Sequence, residues 1–83
     1  MAPKRSVYIL QSQSIGTRYY TGVTSNVAAR LAAHNHGRCS ATVSARPWRV
    51  VVSIQFADEA RAIRFERYLK SGSGNAFARR HLR

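Results

Sequence analysis

Between Tyr19 and Asn35 the chain has little freedom in what it can become. Tyr19-Tyr20-Thr21-Gly22 reads as a short aromatic strand with a glycine exit, and a helix begins a few residues later. Thr24, Ser25 and Asn26 each carry a side-chain oxygen able to accept an amide of a first helical turn. From there Val27 and Leu31 keep the i, i+4 spacing of a buried stripe. Arg30 and His34 keep the same spacing on the face beside it. The strand delivers a tyrosine to the sheet surface just before the helix presents an arginine and a histidine. Such groups suit work on a phosphate.

Fourteen Lys and Arg face three Asp and Glu, a formal charge of +11. The cations are spread along the whole chain, so they belong to a folded surface and not to a basic tail. A field of this sign favours polyanions: DNA, RNA or an anionic membrane face. Nearly all of the cations are arginine, whose fork matches a phosphate better than a lysine point charge does. Arg18, Arg38, Arg46, Lys70, Arg79 and Arg80 are the candidate nucleic-acid contacts. The 83 residues suffice for one domain, 1–83, with an economical core. No apolar run approaches the ~18 residues of a membrane span, and no secretory signal follows Lys4 and Arg5. The single cysteine, Cys39, excludes an internal disulfide and a cysteine-cluster zinc site. A cytoplasmic bacterial protein with no membrane association is expected.

Taken in order, Met1–Arg5 reads as a flexible arm. Ser6–Leu10 is rich in strand formers, with Val7 and Ile9 on one face and Tyr8 and Leu10 on the other. Gln11–Thr17 has the composition of a hairpin connection, and Arg18–Gly22 is the second strand. Pairing would bring Tyr8 within reach of Tyr19 and Tyr20; sheet packing alone would also account for each tyrosine. The first helix spans about Asn26–Asn35 and ends at His36-Gly37. Arg38–Pro47 is a polar loop. Trp48–Phe56 is the third strand, with Val50, Val52, Ile54 and Phe56 alternating onto one face. Asp58-Glu59 opens a second helix, acidic at its positive end. Ser71-Gly72-Ser73-Gly74 reads as a flexible break before a short basic helix over Asn75–Leu82, with Asn75 as its cap and Phe77 as its anchor.

One position breaks the pattern. Ala62, Phe65 and Leu69 form the apolar stripe of the second helix, flanked by Ile63, and Glu66 projects into the middle of it. A carboxylate there is costly unless it is paired or bound to a cation. A salt bridge, with Arg30 as one partner, a side chain reaching out to solvent, and a metal ligand are all open. Hydrolysing a phosphodiester needs a water, a proton acceptor, cations for the transition state and a path for the leaving oxygen. Tyr8, Tyr20, Arg30, His34 and Glu66 could supply these with a single Mg²⁺ or Mn²⁺, provided waters and substrate complete the octahedron. No Ser or Cys carries a local nucleophile signature, no phosphate-cradling glycine loop is present, and His34 and His36 lack a helical zinc spacing.

Tyr8, a hairpin, Tyr20-Thr21-Gly22, Arg30 on the following helix and Glu66 on a later one together resemble the GIY-YIG nuclease family. Ser6-Val7-Tyr8-Ile9-Leu10, His34-Asn35, Pro47-Trp48 and Leu69-Lys70 extend the resemblance over most of the chain, to the family's small single-domain branch. The resemblance implies an α/β (α+β) domain: a central three-stranded antiparallel sheet flanked by three helices, in the order β-β-α-β-α-α. It also implies DNA cleavage assisted by one divalent ion, in repair or recombination. On that reading Tyr20 orients or deprotonates the water, with Tyr8 assisting and His34 sharing the proton work. Arg30 stabilises phosphoryl charge and Glu66 holds the metal. Ser6 and Thr21 depart from the motif's glycine and isoleucine, neither of which supplies a functional group. Branched, nicked or damaged DNA is the substrate class, with a protein partner as a source of targeting. The alternative is a non-catalytic nucleic-acid-binding module on the same fold, acting within a larger complex.

Overall fold

The structure, a computed structural model, describes residues 4–83. It has three strands, β1 (Arg5–Ser12), β2 (Tyr19–Thr24) and β3 (Trp48–Phe56). Three helices accompany them: α1 (Val27–Asn35), α2 (Glu59–Leu69) and α3 (Gly72–His81). A 3-10 turn, Val43–Ala45, interrupts the loop before β3. The order is β-β-α-β-α-α, and the sheet is antiparallel throughout with β1 in the middle. Positions 1–3 of the expected arm lie outside the described residues, while Arg5 opens β1 and pairs with Glu59 at 3.4 Å.

Period-two alternation in β1 divides the interior into two layers. Val7 and Ile9 face α2 and α3, packing with Ala62, Leu69 and Ala78. Tyr8 and Leu10 face the other way, with Ala45, Trp48 and the α1 residues Val27 and Leu31. The sheet is thus a partition. The candidate chemistry of β1 lies on the α1 side.

Three expectations change here. Val50 was expected to share a face with Val52, Ile54 and Phe56. Instead Val50 packs with Tyr8 and Leu10, whereas Val52 and Phe56 pack with Val7 and Ile9. The cause is an irregularity between Ile9 and Leu10: Ile9 opposes Val52 but Leu10 opposes Val50. The extra residue, Val51, moves everything before it to the opposite face.

Second, Ser71–Gly74 is no flexible break. Ser71 caps α3, its hydroxyl accepting the Gly74 amide at 3.2 Å, so the helix starts before Asn75. Gly74 is there because a Cβ would run into the Tyr68 carbonyl at the end of α2. Third, Phe77 is not the anchor of α3. Ala78 and Leu82 face the core, while Phe77 stays exposed.

The helix ends otherwise follow local chemistry. Asn26 caps α1 by accepting the Ala29 amide at 3.0 Å, and Asp58 caps α2 by accepting the Arg61 amide at 2.8 Å. Beyond α1, Gly37 takes φ +76, a left-handed conformation that favours glycine. Among the described residues no helix is long and apolar enough to cross a membrane.

Candidate active site

The β1–β2 register sets Tyr8 opposite Gly22 and Leu10 opposite Tyr20. A Cβ at position 22 would lie 2.5 Å from the Tyr8 hydroxyl oxygen and 2.7 Å from Cζ. The glycine therefore makes room for the Tyr8 ring against the strand. From there the hydroxyl meets Nε2 of His34 at 3.0 Å, deep between β1 and α1.

The other side of His34 fixes the direction of the chain of hydrogen bonds. Nδ1 of His34 lies 2.8 Å from Oγ1 of Thr42, whose hydroxyl donates to the Cys39 carbonyl at 3.3 Å. With its one proton committed, Thr42 accepts from His34, so Nδ1 carries the hydrogen. Nε2 is then a free lone pair and accepts the Tyr8 O–H. Burial, and then the charge of Arg30, hold the His34 pKa below its usual range, consistent with this neutral form. Burial also raises the Tyr8 pKa, against the opposing pull of the Arg30 guanidinium beside its hydroxyl. The phenol stays protonated and donates.

Tyr8 and His34 are both buried and present no face to a substrate. Above them the surface is made by Arg30, exposed on α1, and Tyr20, half-buried on β2. The Tyr20 ring meets His34 edge-on, 4.9 Å between centroids, and stands 6.4 Å from Tyr8. Along the open edge of β2 runs a cavity of about 310 Å³ whose polar lining includes Tyr20, Thr21, Lys70, Asn75 and Arg83.

Sequence reasoning gave no role to the groups that hold this arrangement. Asn35 ends α1 and grips the backbone of Trp48 twice. Its Oδ1 accepts the Trp48 amide at 2.6 Å, and its amide donates to the Trp48 carbonyl at 3.0 Å. The Trp48 indole in turn donates to the Thr42 carbonyl at 2.8 Å. Ser12 donates to the Ala45 carbonyl at 2.6 Å and accepts the Ile15 amide at 2.8 Å. The resemblance included Asn35 and Trp48 without a function. Thr42 gave no signal at all, being one hydroxyl in a polar loop.

Glu66 stands apart. It lies on α2, which covers the other face of the sheet, and its pair is Lys70 at 2.8 Å and not Arg30. Its side chain keeps 19% of its accessibility, so it sits at the border of the apolar stripe. Lys70 lines the cavity that also contains Tyr20, which brings the end of α2 to the β2 edge. Among the described residues no three His, Cys, Asp or Glu side chains cluster as a metal site.

The candidate nucleic-acid contacts divide by location. Arg18 reaches across to the Ala41 carbonyl at 3.2 Å, and Arg46 folds onto the Val43 carbonyl at 2.8 Å. Arg38 and Arg46 belong to the loop between α1 and β3, and Arg18 reaches it from the β1–β2 connection. Arg79 and Arg80 lie on α3, with Arg80 in a separate cleft beside Phe77. Arg83, which sequence reading passed over, stacks on the Tyr19 ring at 4.2 Å.

Comparison with known proteins gives a consistent result. The family profile described as "GIY-YIG catalytic domain" matches residues 4–80. A UPF0213 protein of Cupriavidus pinatubonensis is 33% identical over 67 residues, covering 80% of this chain and 74% of that protein. One from Staphylococcus haemolyticus is 37% identical over 71 residues, covering 84% of each. Among solved structures, the solution NMR structure of a UPF0213 protein from Bacillus halodurans matches with a TM-score of 0.52 and 30% identity. That match covers 88% of this chain and 79% of the other.

Proposed function

The chain belongs to the GIY-YIG family, and from that premise we propose that it is a divalent-metal-dependent endonuclease that hydrolyses phosphodiester bonds of DNA. The observation that carries the reading is the directed chain Tyr8–His34–Thr42 beneath Arg30 and Tyr20. A buried tyrosine hydroxyl needs a partner, and here that partner is a histidine fixed as acceptor, a group suited to take a proton. Arg30 and Tyr20 touch the substrate: the guanidinium takes the charge developing on the phosphoryl oxygens, and Tyr20 orients the attacking water. Tyr8 and His34 act behind them. The Tyr8 hydroxyl, beside the Arg30 guanidinium, donates to Nε2 and so links the surface groups to the imidazole, and Thr42 holds that imidazole in the accepting tautomer.

The donor set is compatible with a divalent ion. Glu66 has a partner only on Oε2 among the described residues, and one carboxylate with waters and substrate phosphate is a habitual magnesium environment. Glu66 would hold Mg²⁺ or Mn²⁺, which when bound supplies positive charge to the scissile phosphate. Branched or nicked DNA is the proposed substrate class, repair or recombination the setting, and a protein partner the proposed source of targeting.

A second reading, a binding module without catalysis, is favoured by one feature: Glu66 is engaged by Lys70 on the far side of the partition. Purified protein incubated with nicked, flapped and branched duplexes in Mg²⁺, Mn²⁺ or EDTA separates the two. Metal-dependent cleavage that disappears in Tyr20→Phe supports the nuclease. Tight binding with no cleavage in either metal establishes the module instead.

A further inference from the structure

On the face of the sheet away from Tyr8 and His34, five rings run outward from the core to the surface. Phe56 and Phe65 lie 5.3 Å apart between centroids, Phe65 and Tyr68 6.2 Å, Tyr68 and Phe77 6.1 Å, and Phe77 and His81 4.9 Å. The first two are half-buried and serve the core. The outer rings do not: Tyr68 is 40% exposed and Phe77 37%. Packing between α2 and α3 is made by Leu69 and Ala78, with Gly74 tight against the end of α2. Two large aromatic residues therefore touch each other across α2 and α3 and still keep over a third of their surface in water.

Their surroundings say what they face. Arg64 lies one turn before Tyr68 on α2, and Arg80 one turn after Phe77 on α3; both are exposed. Phe77, Arg80 and His81 line a cleft of about 300 Å³. Asp58, Glu59 and Glu66 are the only acids, and they pair with Arg61, Arg5 and Lys70. Neither Arg64 nor Arg80 has an acidic side-chain partner among the described residues.

We propose that the Tyr68–Phe77 strip binds unpaired bases of single-stranded nucleic acid, with Arg64 and Arg80 on the backbone phosphates. A base exposes its flat face only when it leaves the duplex, and an exposed ring beside an arginine is a stacking platform for it. A second copy of the chain would bring +11 against +11, which opposes an apolar dimer contact. An anionic membrane would match the charge but gives no account of a continuous series of tilted rings. This surface is separate from the Tyr8–His34 cluster and works without cleavage.

The test is fluorescence anisotropy in EDTA, with a labelled oligo(dT) single strand and a labelled blunt-ended duplex of two strands at the same moderate salt. Phe77→Leu and Tyr68→Leu keep apolar volume and remove the flat ring; they lie on different helices, and thermal melts confirm that each is folded. Stacking worth ~1–3 kcal/mol per base predicts a ~5–150-fold loss of single-strand affinity in each. Duplex affinity should stay within ~2-fold. Equal losses for both probes, or no loss for the single strand, overturn the proposal. It is also overturned if the wild type sediments as a dimer that Phe77→Leu dissociates. Capture on phosphatidylserine vesicles that Phe77→Leu abolishes, without effect on oligo(dT), overturns it as well.

Discussion

Gly22→Ala tests the site and the fold together. On propensity alone the change should help, because glycine inside a strand is ~0.5–1 kcal/mol worse than alanine. The structure reverses the sign. The new methyl would meet the Tyr8 ring at 2.5 Å from its oxygen and 2.7 Å from Cζ, and Tyr8, 1% exposed, has no surface toward which to move. Overpacking of this kind costs ~1–3 kcal/mol. Shifting the ring also breaks its bond to His34, leaving buried polar groups unpaired at a further ~1–3 kcal/mol. Net of the propensity gain, the loss is about 1–5 kcal/mol. For a domain of this size ~4–8 °C of Tm follows each kcal/mol, so the midpoint should fall by ~4–40 °C in a thermal melt followed by circular dichroism. Tyr8→Phe deletes the nearest atom, so in that background the same Gly22→Ala change should cost about half as much. A single variant melting within ~2 °C of the wild type would refute the close packing of ring on strand.

Four further outcomes follow from the geometry. Because His34 has a lowered folded pKa, its neutral form contributes stability that is complete above the unfolded pKa of ~6.5. That contribution is lost as pH falls from there toward the folded value, and His34→Gln should flatten this slope in urea melts from pH 7 to pH 5. Glu66→Gln should abolish cleavage in either metal yet change stability by under ~0.5 kcal/mol, since its partner is an exposed i+4 lysine and not a buried arginine; a folded variant that still cuts removes Glu66 from metal binding. Arg30→Lys should bind DNA nearly as well and cut it at least ~10²-fold more slowly, the scale of one lost transition-state donor, and near wild-type rates would make Arg30 structural. Asn35→Ala strands both backbone groups of Trp48 and should cost ~2–4 kcal/mol by denaturant melt; a loss under ~0.5 kcal/mol would show that water replaces the amide.

What could be read in the sequence was what periodicity and local chemistry decide. The limits of β3 are those its alternation suggested, and the acidic start of α2 and the glycine after α1 stand where expected. Misreadings arose where a distant backbone intervenes. Ser-Gly-Ser-Gly has the composition of a linker, but the Ser71 cap makes it the first turn of α3, and Gly74 lets that turn approach the Tyr68 carbonyl. Val50 changed face because of a bulge whose partner is Ile9-Leu10, some forty positions away. The same limit applied to the site. Tyr8, Tyr20, Arg30 and His34 stood out as chemistry-bearing types, and three of them now meet around one imidazole. Thr42 and Asn35 act with side chains whose partners include backbone groups of Cys39 and Trp48, which any residue could offer and no pattern marks. The Glu66 partner was misjudged because Arg30 lies across the sheet, whereas Lys70 was one turn away on the same helix.

With β1 in the middle of the three strands found among the described residues, β2 and β3 are both edges. An open edge is a template for another chain, and here each copy carries a charge of +11 to keep others away. Colloidal stability is thereby tied to the same charge that attracts polyanions. Salt that weakens nucleic-acid binding also removes the barrier between edges, and a polyanion that neutralises several copies brings their edges together on one scaffold. Light scattering across a salt titration, without and with short DNA, reads that coupling, and scattering that stays flat in both would show that the edges are guarded by something other than charge.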